Sequence, residues 1–269
     1  MQTFNDKTAP HQIAFEAYGM ELRLCTNTRE LFEQLKQMIP ADWRHRPRAS
    51  HQHRLGILDE GDNLYSVYRS DGACIHDSPG RDYALSILES AIEAYIALDA
   101  TSYIFIHAGA VAASGRAIVI PGSSFSGKTT LVRALVDAGA TYYSDEFAVL
   151  DEAGCVVPYS RRLSIRVARG AAEAHSVEQL GGVAGVDALP IGLAIMTHFR
   201  SGAAWQPRRL SPGAGALAVL EHALPAQERP QQTLRVLKTA LAGATILEGV
   251  RGEADEVARV LLDTLRAAA

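Results

Sequence analysis

The chain has 269 residues, of which 48% are hydrophobic and 21% charged, so it can bury a sizeable core as one large domain or as two smaller ones. Its net charge of −4 argues against non-specific nucleic-acid binding as the main activity, and the sequence shows no pattern of a signal peptide or of a membrane span. The three cysteines, Cys25, Cys74 and Cys155, lack metal-ligand spacing and are typical of reduced thiols, so we expect a cytoplasmic protein with no nucleic-acid or membrane partner.

The first hundred residues predict a small α+β domain, residues 1–100. Loose alternation over residues 12–26 predicts a strand or hairpin that turns near Gly19, and either Asn27 or Thr28 can cap the helix that follows. The remaining elements expected here are a polar, solvated loop over 41–53, strands at 54–58, 63–69 and 73–76, and a helix at about 81–98. This region carries no motif, and acceptor recognition is the only role that we assign to it as an expectation.

The rest of the chain predicts an α/β nucleotide-binding domain, residues 101–269. Strands are expected at 103–106, 117–120, 140–143, 147–150, 156–157, 191–197 and 245–247, and helices at 130–138, 212–222, 230–241 and 253–265. The segment 168–190 has weak periodicity and predicts a loop or a short helix with linkers.

A phosphate-binding motif lies between the strand 117–120 and the helix 130–138. The residues from Gly122 to Thr130, GSSFSGKTT, fit the P-loop pattern G-x-x-x-x-G-K-[ST] at every fixed position. In such a loop the backbone N–H groups and the helix N-terminus hold phosphate, the lysine reaches the β- and γ-phosphates, and the hydroxyl that follows coordinates Mg²⁺. The predicted nucleotide-binding residues are Gly122, Ser123, Ser124, Phe125, Ser126, Gly127, Lys128, Thr129 and Thr130.

Two carboxylates are predicted at the end of the next strand. Asp145 follows Lys128 by 17 residues, which is enough for one helix, a turn and a short strand, and so it is expected beside the P-loop. There it can hold Mg²⁺ through water, or take a proton from an attacking hydroxyl. Glu146 is a further metal candidate, although it points away from Asp145 if the strand continues. The alternative is that Asp145 only caps a turn.

A histidine and several arginines are candidates for the same site. His107 is expected at the end of a strand beside the P-loop strand, where it can orient Asp145, contact the γ-phosphate or simply pack. An arginine near the transferred phosphoryl group is common in this chemistry. The sequence does not identify which arginine has this role, and each candidate can instead be a strand residue whose charge faces solvent. The candidates are Arg161, Arg162, Arg166, Arg200 and Arg251.

These residues resemble the HPr kinase/phosphorylase family and its divergent relatives. The matching pieces are His107-Ala108 at a strand end, the P-loop, its helix and the acidic pair Asp145-Glu146, within about residues 103–150. The resemblance implies a P-loop kinase fold akin to phosphoenolpyruvate carboxykinase, with ATP and Mg²⁺, that phosphorylates a serine hydroxyl. Carried over by position, Lys128 binds phosphate, Thr129 binds metal, Asp145 is the catalytic base and His107 supports it.

The chain also departs from that family. Its loop carries Ser123-Ser124-Phe125-Ser126 where the family is closer to G-D-S-G-x-G-K-S, and its acidic pair is Asp145-Glu146 instead of Asp-Asp. We therefore predict an ATP- and Mg²⁺-dependent kinase that transfers a phosphoryl group to a hydroxyl, with a serine of a protein or peptide as acceptor. The alternatives are a small-molecule kinase, a carboxykinase-like transferase and a non-catalytic ATP-binding regulatory protein. A homo-oligomer is expected from the resemblance alone.

Overall fold

The computed structural model describes residues 4–40, 43–46, 53–123, 126–159, 163–166 and 172–267. The chain divides into two compact units, Met1–Thr101 and Ser102–Ala269, each with a mixed α/β structure. Within the described residues, no helix combines the length and the apolar character needed to cross a membrane.

The first unit is built on a six-stranded sheet. Its elements are β1 (His11–Ala17), β2 (Met20–Thr26), α1 (Arg29–Met38), β3 (Arg44–His45), β4 (Arg54–Gly61), β5 (Leu64–Tyr68), β6 (Cys74–Pro79) and α2 (Arg81–Asp99). The sheet order is β3-β1-β2-β4-β5-β6, and only the β2–β4 pair is parallel.

Local signals explain the start of this unit. Tyr18 and Gly19 both have positive φ, 51° and 77°, which suits the two central residues of a tight hairpin turn, and β1 and β2 pair antiparallel around them. Thr28 is the N-cap of α1, where its side chain accepts a hydrogen bond from the Leu31 N–H at 3.3 Å. The predicted turn near Gly19 and the predicted helix start are confirmed, and Thr28 is the capping residue.

The second unit contains an eight-stranded sheet and a separate two-stranded one. Its strands are β7 (Ile104–Ala113), β8 (Arg116–Pro121), β9 (Thr141–Ser144), β10 (Phe147–Leu150), β11 (Cys155–Val157), β12 (Leu163–Arg166), β13 (Ala172–His175), β14 (Leu189–Phe199), β15 (Arg208–Arg209) and β16 (Thr245–Arg251). Its helices are α3 (Lys128–Asp137), α4 (Pro212–Leu220), α5 (Pro230–Leu241) and α6 (Ala254–Ala267), with short 3-10 turns at Glu178–Leu180 and Leu224–Ala226.

The topology of the large sheet gathers strand ends at one edge. Its main order is β11-β10-β7-β8-β14-β16-β15, with β9 also paired to β7 and β11 also paired to β14. Strands β8, β14 and β16 are parallel neighbours, while β7 is antiparallel to β8 and to β9. The carboxyl ends of β8, β9, β14 and β16 therefore lie on the same edge of the sheet.

The helices cover both faces of this sheet. Leu131 and Leu135 of α3 pack with Leu261 of α6 in one buried cluster, and Val219 of α4 packs with Val236 of α5 in another. Apolar residues four apart place one face of α3 inward, and Gly139 follows its end with a φ of 97°, as a helix C-terminus favours. This packing holds the N-terminus of α3 at the sheet edge where the strands end.

Three sequence predictions need correction. Strand β7 continues through His107 to Ala113, because Ala108–Ala113 pair with β8 along their whole length. The 41–53 segment, predicted as a loop, contains the short strand β3, with residues 41–42 and 47–52 outside the described part. The 168–190 segment contains β13 and the turn Glu178–Leu180, with residues 167–171 likewise outside it.

Candidate functional site

The glycine-rich segment, residues 122–130, connects β8 to α3, as the motif requires. Gly127 precedes the first helical residue with a φ of 86°, in the left-handed region that glycine adopts without strain. Gly122 N–H donates to the His107 carbonyl at 3.2 Å, which ties the beginning of the segment to β7. Ser124 and Phe125, two of the predicted nucleotide-binding residues, lie outside the described residues.

Lys128 is a buried cation held by the segment itself. Its side chain is 7% exposed, and Nζ donates to the carbonyl oxygens of Gly122 at 2.8 Å and Ser123 at 2.9 Å. Burial lowers the pKa of its amino group below the ordinary value, while the charges of Glu146 and Asp145 act in the opposite direction. The ammonium is thus positioned by carbonyl oxygens, which are weaker partners than a phosphate oxygen would be.

Thr129 and Asp145 meet across the site. Thr129 lies in the first turn of α3, and its Oγ1 donates to Oδ2 of Asp145 at 3.0 Å. The other oxygen of Asp145 accepts a hydrogen bond from the Tyr142 hydroxyl at 3.0 Å, and the residue is 5% exposed. Both oxygens of this buried carboxylate therefore accept hydrogen bonds.

Glu146 pairs with His107. Its Oε1 lies 3.2 Å from Nε2 of His107, and both side chains are partly buried. Strand β9 ends at Ser144, whose hydroxyl accepts hydrogen bonds from the N–H groups of Glu146 at 3.1 Å and Phe147 at 3.0 Å. Because the chain bends here, the strand alternation that would separate the two carboxylates does not apply. The carboxylate 3.2 Å from His107 is thus that of Glu146, and the expectation that His107 orients Asp145 stays a prediction.

The oxygen atoms of Thr129 and Asp145 suit a hard divalent cation. A hydroxyl and a carboxylate are the donors that Mg²⁺ prefers, and Mg²⁺ commonly takes only one or two protein ligands beside water and substrate phosphate. Among the described residues there is no group of three or more His, Cys, Asp or Glu side chains able to hold a metal on its own. The donor set therefore fits Mg²⁺ that arrives with a phosphate, and does not fit an autonomous structural metal.

Among the candidate arginines that the structure describes, Arg251 reaches the glycine-rich segment. It is 2% exposed, and it donates to the Gly127 carbonyl at 2.9 Å and to the Gly252 carbonyl at 3.1 Å. Its guanidinium lies 5.3 Å from the centroid of the Phe199 ring. Burial lowers the pKa of Arg251, and Glu253 opposes that shift. Arg251 therefore fixes the helix start by holding Gly127.

The other candidate arginines are placed differently. Arg200 is exposed beyond the end of β14, and Arg166 lies in β12 of the two-stranded sheet. Arg161 and Arg162 fall outside the described residues.

A cleft of about 600 Å³ opens beside the glycine-rich segment. Its lining includes Gly122, Ser123, Ser126, Met196, His222 and Glu248. His222, which follows α4, was not among the sequence candidates, because a single histidine after a helix carries no motif. Its carbonyl accepts a hydrogen bond from the His107 N–H at 2.8 Å, and this contact between distant parts of the chain locates it at the site.

No protein-family model and no curated protein matches the chain. Among solved structures, the chain is similar to the Hpr(Ser) kinase/phosphatase from Coxiella burnetii, with 14% sequence identity and a TM-score of 0.34. The similarity covers 61% of this chain and 94% of that one. At this level it carries no argument, and the function has to be inferred from the residues of the site.

Proposed function

We propose that this protein is an ATP- and Mg²⁺-dependent phosphotransferase of the P-loop class, which transfers the γ-phosphoryl group to a hydroxyl. The observation that carries the proposal is the 3.0 Å contact between Thr129 and Asp145 beside the buried Lys128. In P-loop nucleotide sites, Mg²⁺ is held by the hydroxyl that follows the lysine and by a carboxylate from another strand beside that hydroxyl. A chance match to the pattern gives no reason for that carboxylate to be there.

Each residue has a role in this proposal. Lys128 exchanges its two carbonyl partners for phosphate oxygens, and the N–H groups at the start of α3 bind the same phosphates. Thr129 and Asp145 would hold Mg²⁺, and the bound metal would neutralise charge on the phosphate oxygens. Asp145 was predicted both as a metal ligand and as the proton acceptor. Its burial and its two hydrogen bonds favour the metal role.

The pair of His107 and Glu146 completes the polar lining. Glu146 lies close enough to Lys128 for its charge to oppose the pKa shift of the lysine, so the pair belongs to the same site. We assign His107 a supporting role through Glu146, and Glu146 a role beside the metal. These assignments predict that loss of either residue reduces phosphoryl transfer more than it reduces nucleotide binding.

The acceptor class rests on the motif resemblance. That resemblance favours a serine of a protein or peptide. A small-molecule kinase and a carboxykinase-like transferase would use the same phosphate-binding residues, and a regulatory protein would bind ATP without transfer. The experiment that tests the proposal is designed to separate these cases.

The test compares wild type with Lys128→Met, which keeps the length of the buried side chain and removes its charge. Each protein is incubated with Mg²⁺ and ATP labelled at the γ-phosphate, together with an extract of the cells from which the sequence comes. Lys238→Met is the matched control, because Lys238 is exposed on α5. We expect label in a protein or peptide with wild type and Lys238→Met, and none with Lys128→Met.

The other outcomes decide between the alternatives. Label that appears only in a small molecule would replace the protein acceptor with a metabolite. Tight ATP binding without any transfer would favour the regulatory protein. Equal labelling by wild type and Lys128→Met, or no binding of ATP by wild type, would overturn the proposed function.

A further inference from the structure

His222 lies in the lining of the cleft described above. It shares the lining of the cleft with Gly122, Ser123 and Ser126 of the glycine-rich segment. Its position is fixed through the backbone, because its carbonyl accepts from the His107 N–H at 2.8 Å and Ala223 forms a β-bridge with Ile106. The carbonyl of His107 in turn accepts from Gly122 N–H at 3.2 Å. His222 is therefore held to the same backbone that positions the glycine-rich segment.

The two carboxylates of the site are already engaged. Asp145 accepts hydrogen bonds from Thr129 and Tyr142, and Glu146 lies 3.2 Å from His107. Among the described residues, no hydrogen bond involves the imidazole of His222. A hydroxyl that enters the cleft thus meets, in His222, a side chain able to accept its proton without first losing another partner.

The surroundings of His222 favour its neutral form. Burial lowers its pKa, and its electrostatic interactions with His107 on β7 and with Lys128 on α3 act in the same direction. Glu221, the residue before it, opposes the shift. The neutral imidazole has a nitrogen lone pair with which to accept a proton.

We propose that His222 is the catalytic residue that accepts the proton of the acceptor hydroxyl in the cleft; this rests on the proposed phosphotransferase function. The hydroxyl O–H bond breaks and its proton passes to a ring nitrogen of His222. The acceptor oxygen forms a bond to the γ-phosphorus, and the bond from that phosphorus to its bridging oxygen breaks, which releases ADP. The cleft thereby binds the acceptor hydroxyl next to the glycine-rich segment.

The test uses the full chain and the acceptor labelled by wild type in the experiment above. His222→Asn keeps hydrogen-bonding groups but cannot act as a base at neutral pH, and His222→Gln serves as a second variant if the first melts at a lower temperature. The measurements are the single-turnover rate of transfer and the Kd for Mg·ATP. We expect the rate to fall by about 100-fold to 10,000-fold, while the Kd changes by less than about threefold.

Glu146→Gln and His175→Asn are the comparison variants. His175 lies on β13, outside the lining of the cleft, and its variant is expected to match wild type. Glu146→Gln is expected to slow transfer through the role of Glu146 beside the metal. A near-normal rate in His222→Asn would overturn the proposal. A parallel loss of Mg·ATP affinity in His222→Asn would also overturn it, since His222 would then bind phosphate. Failure of the proposed function is a separate result, because it is read from wild type and Lys128→Met.

Discussion

Substitution of Gly127 by alanine tests the contact that fixes the start of α3. Gly127 has a φ of 86°, and a Cβ placed on it would lie 2.4 Å from a terminal nitrogen of Arg251. The same nitrogen donates to the Gly127 carbonyl at 2.9 Å. Arg251 is buried and also bonded to Gly252, so it can move away from the new methyl group only by giving up hydrogen bonds.

The expected cost can be divided into two parts. Alanine in the left-handed region costs about 1–2 kcal/mol. Loss of a hydrogen bond from a charged group adds about 1.5–3 kcal/mol, so Gly127→Ala should lower the free energy of unfolding by roughly 2.5–5 kcal/mol. Gly139, at the other end of α3, has a φ of 97°, but a Cβ placed on it would have no atom within 4 Å. Gly139→Ala should therefore cost only the backbone part, about 1–2 kcal/mol.

Urea unfolding of the second unit measures this difference. Trp205 lies in that unit and Trp43 in the other, so fluorescence in a Trp43→Phe background reports on the second unit. In an Arg251→Met background the cost of Gly127→Ala should fall to that of Gly139→Ala, because the contact is already gone. Equal costs of the two glycine substitutions in the presence of Arg251 would refute the reasoning.

Three further predictions concern titration, hydrogen bonding and thiol chemistry. Burial lowers the pKa of Lys128, and phosphate binding needs its protonated form. The Kd for Mg·ATP, measured by calorimetry, should therefore rise as pH increases toward the ordinary lysine value of 10.5. A Kd that stays constant over that range would contradict this. Tyr142→Phe removes the hydroxyl that donates to an oxygen of buried Asp145. Urea titration should show that this lowers the free energy of unfolding by about 1.5–3 kcal/mol. A change near zero would mean that this hydrogen bond does not stabilise the fold. Burial raises the pKa of the Cys25 thiol to about 12. A thiol reagent at pH 8 should therefore label Cys25 only when urea unfolds the first unit. Rapid labelling of Cys25 in the native protein would contradict its burial.

Elements with local signals were predicted well from the sequence. The predicted helix 230–241 has the bounds of α5, Pro230–Leu241, because proline at a first helical position is a local signal. The loop between Ile120 and Lys128 was recognised in the same way, since its glycines and its flanking strand and helix lie within one short stretch. Signals of this kind depend on neighbouring residues and need no knowledge of the tertiary structure.

The length of β7 depends on distant partners, and it was underestimated for that reason. After Ile106 the strand contains His107, small residues and one valine, which do not form an apolar pattern of their own. Pairing with β8, β9 and β10 holds this stretch extended. Tertiary pairing thus decided what strand propensity did not.

The same limit applies to the site. The predicted position of Asp145 beside the P-loop needed only one helix, a turn and a short strand after Lys128, and so the spacing was informative. Arg251 reaches Gly127 across 124 positions, through the pairing of β16 with β14 and of β14 with β8. His222 likewise meets His107 only after α4 has packed on the sheet. No local pattern marks either residue.

The placement of the two buried cations has a consequence for the ligand. Lys128 and Arg251 both bind carbonyl oxygens of the glycine-rich segment, and neither forms a hydrogen-bonded ion pair with a carboxylate among the described residues. A buried cation without a hydrogen-bonded carboxylate is costly even where carboxylates lie nearby, and the start of α3 adds further positive potential at the same point. Binding of an anion offsets this cost, whereas a neutral ligand does not. Under the proposed function, we therefore expect bound phosphate to stabilise the glycine-rich segment.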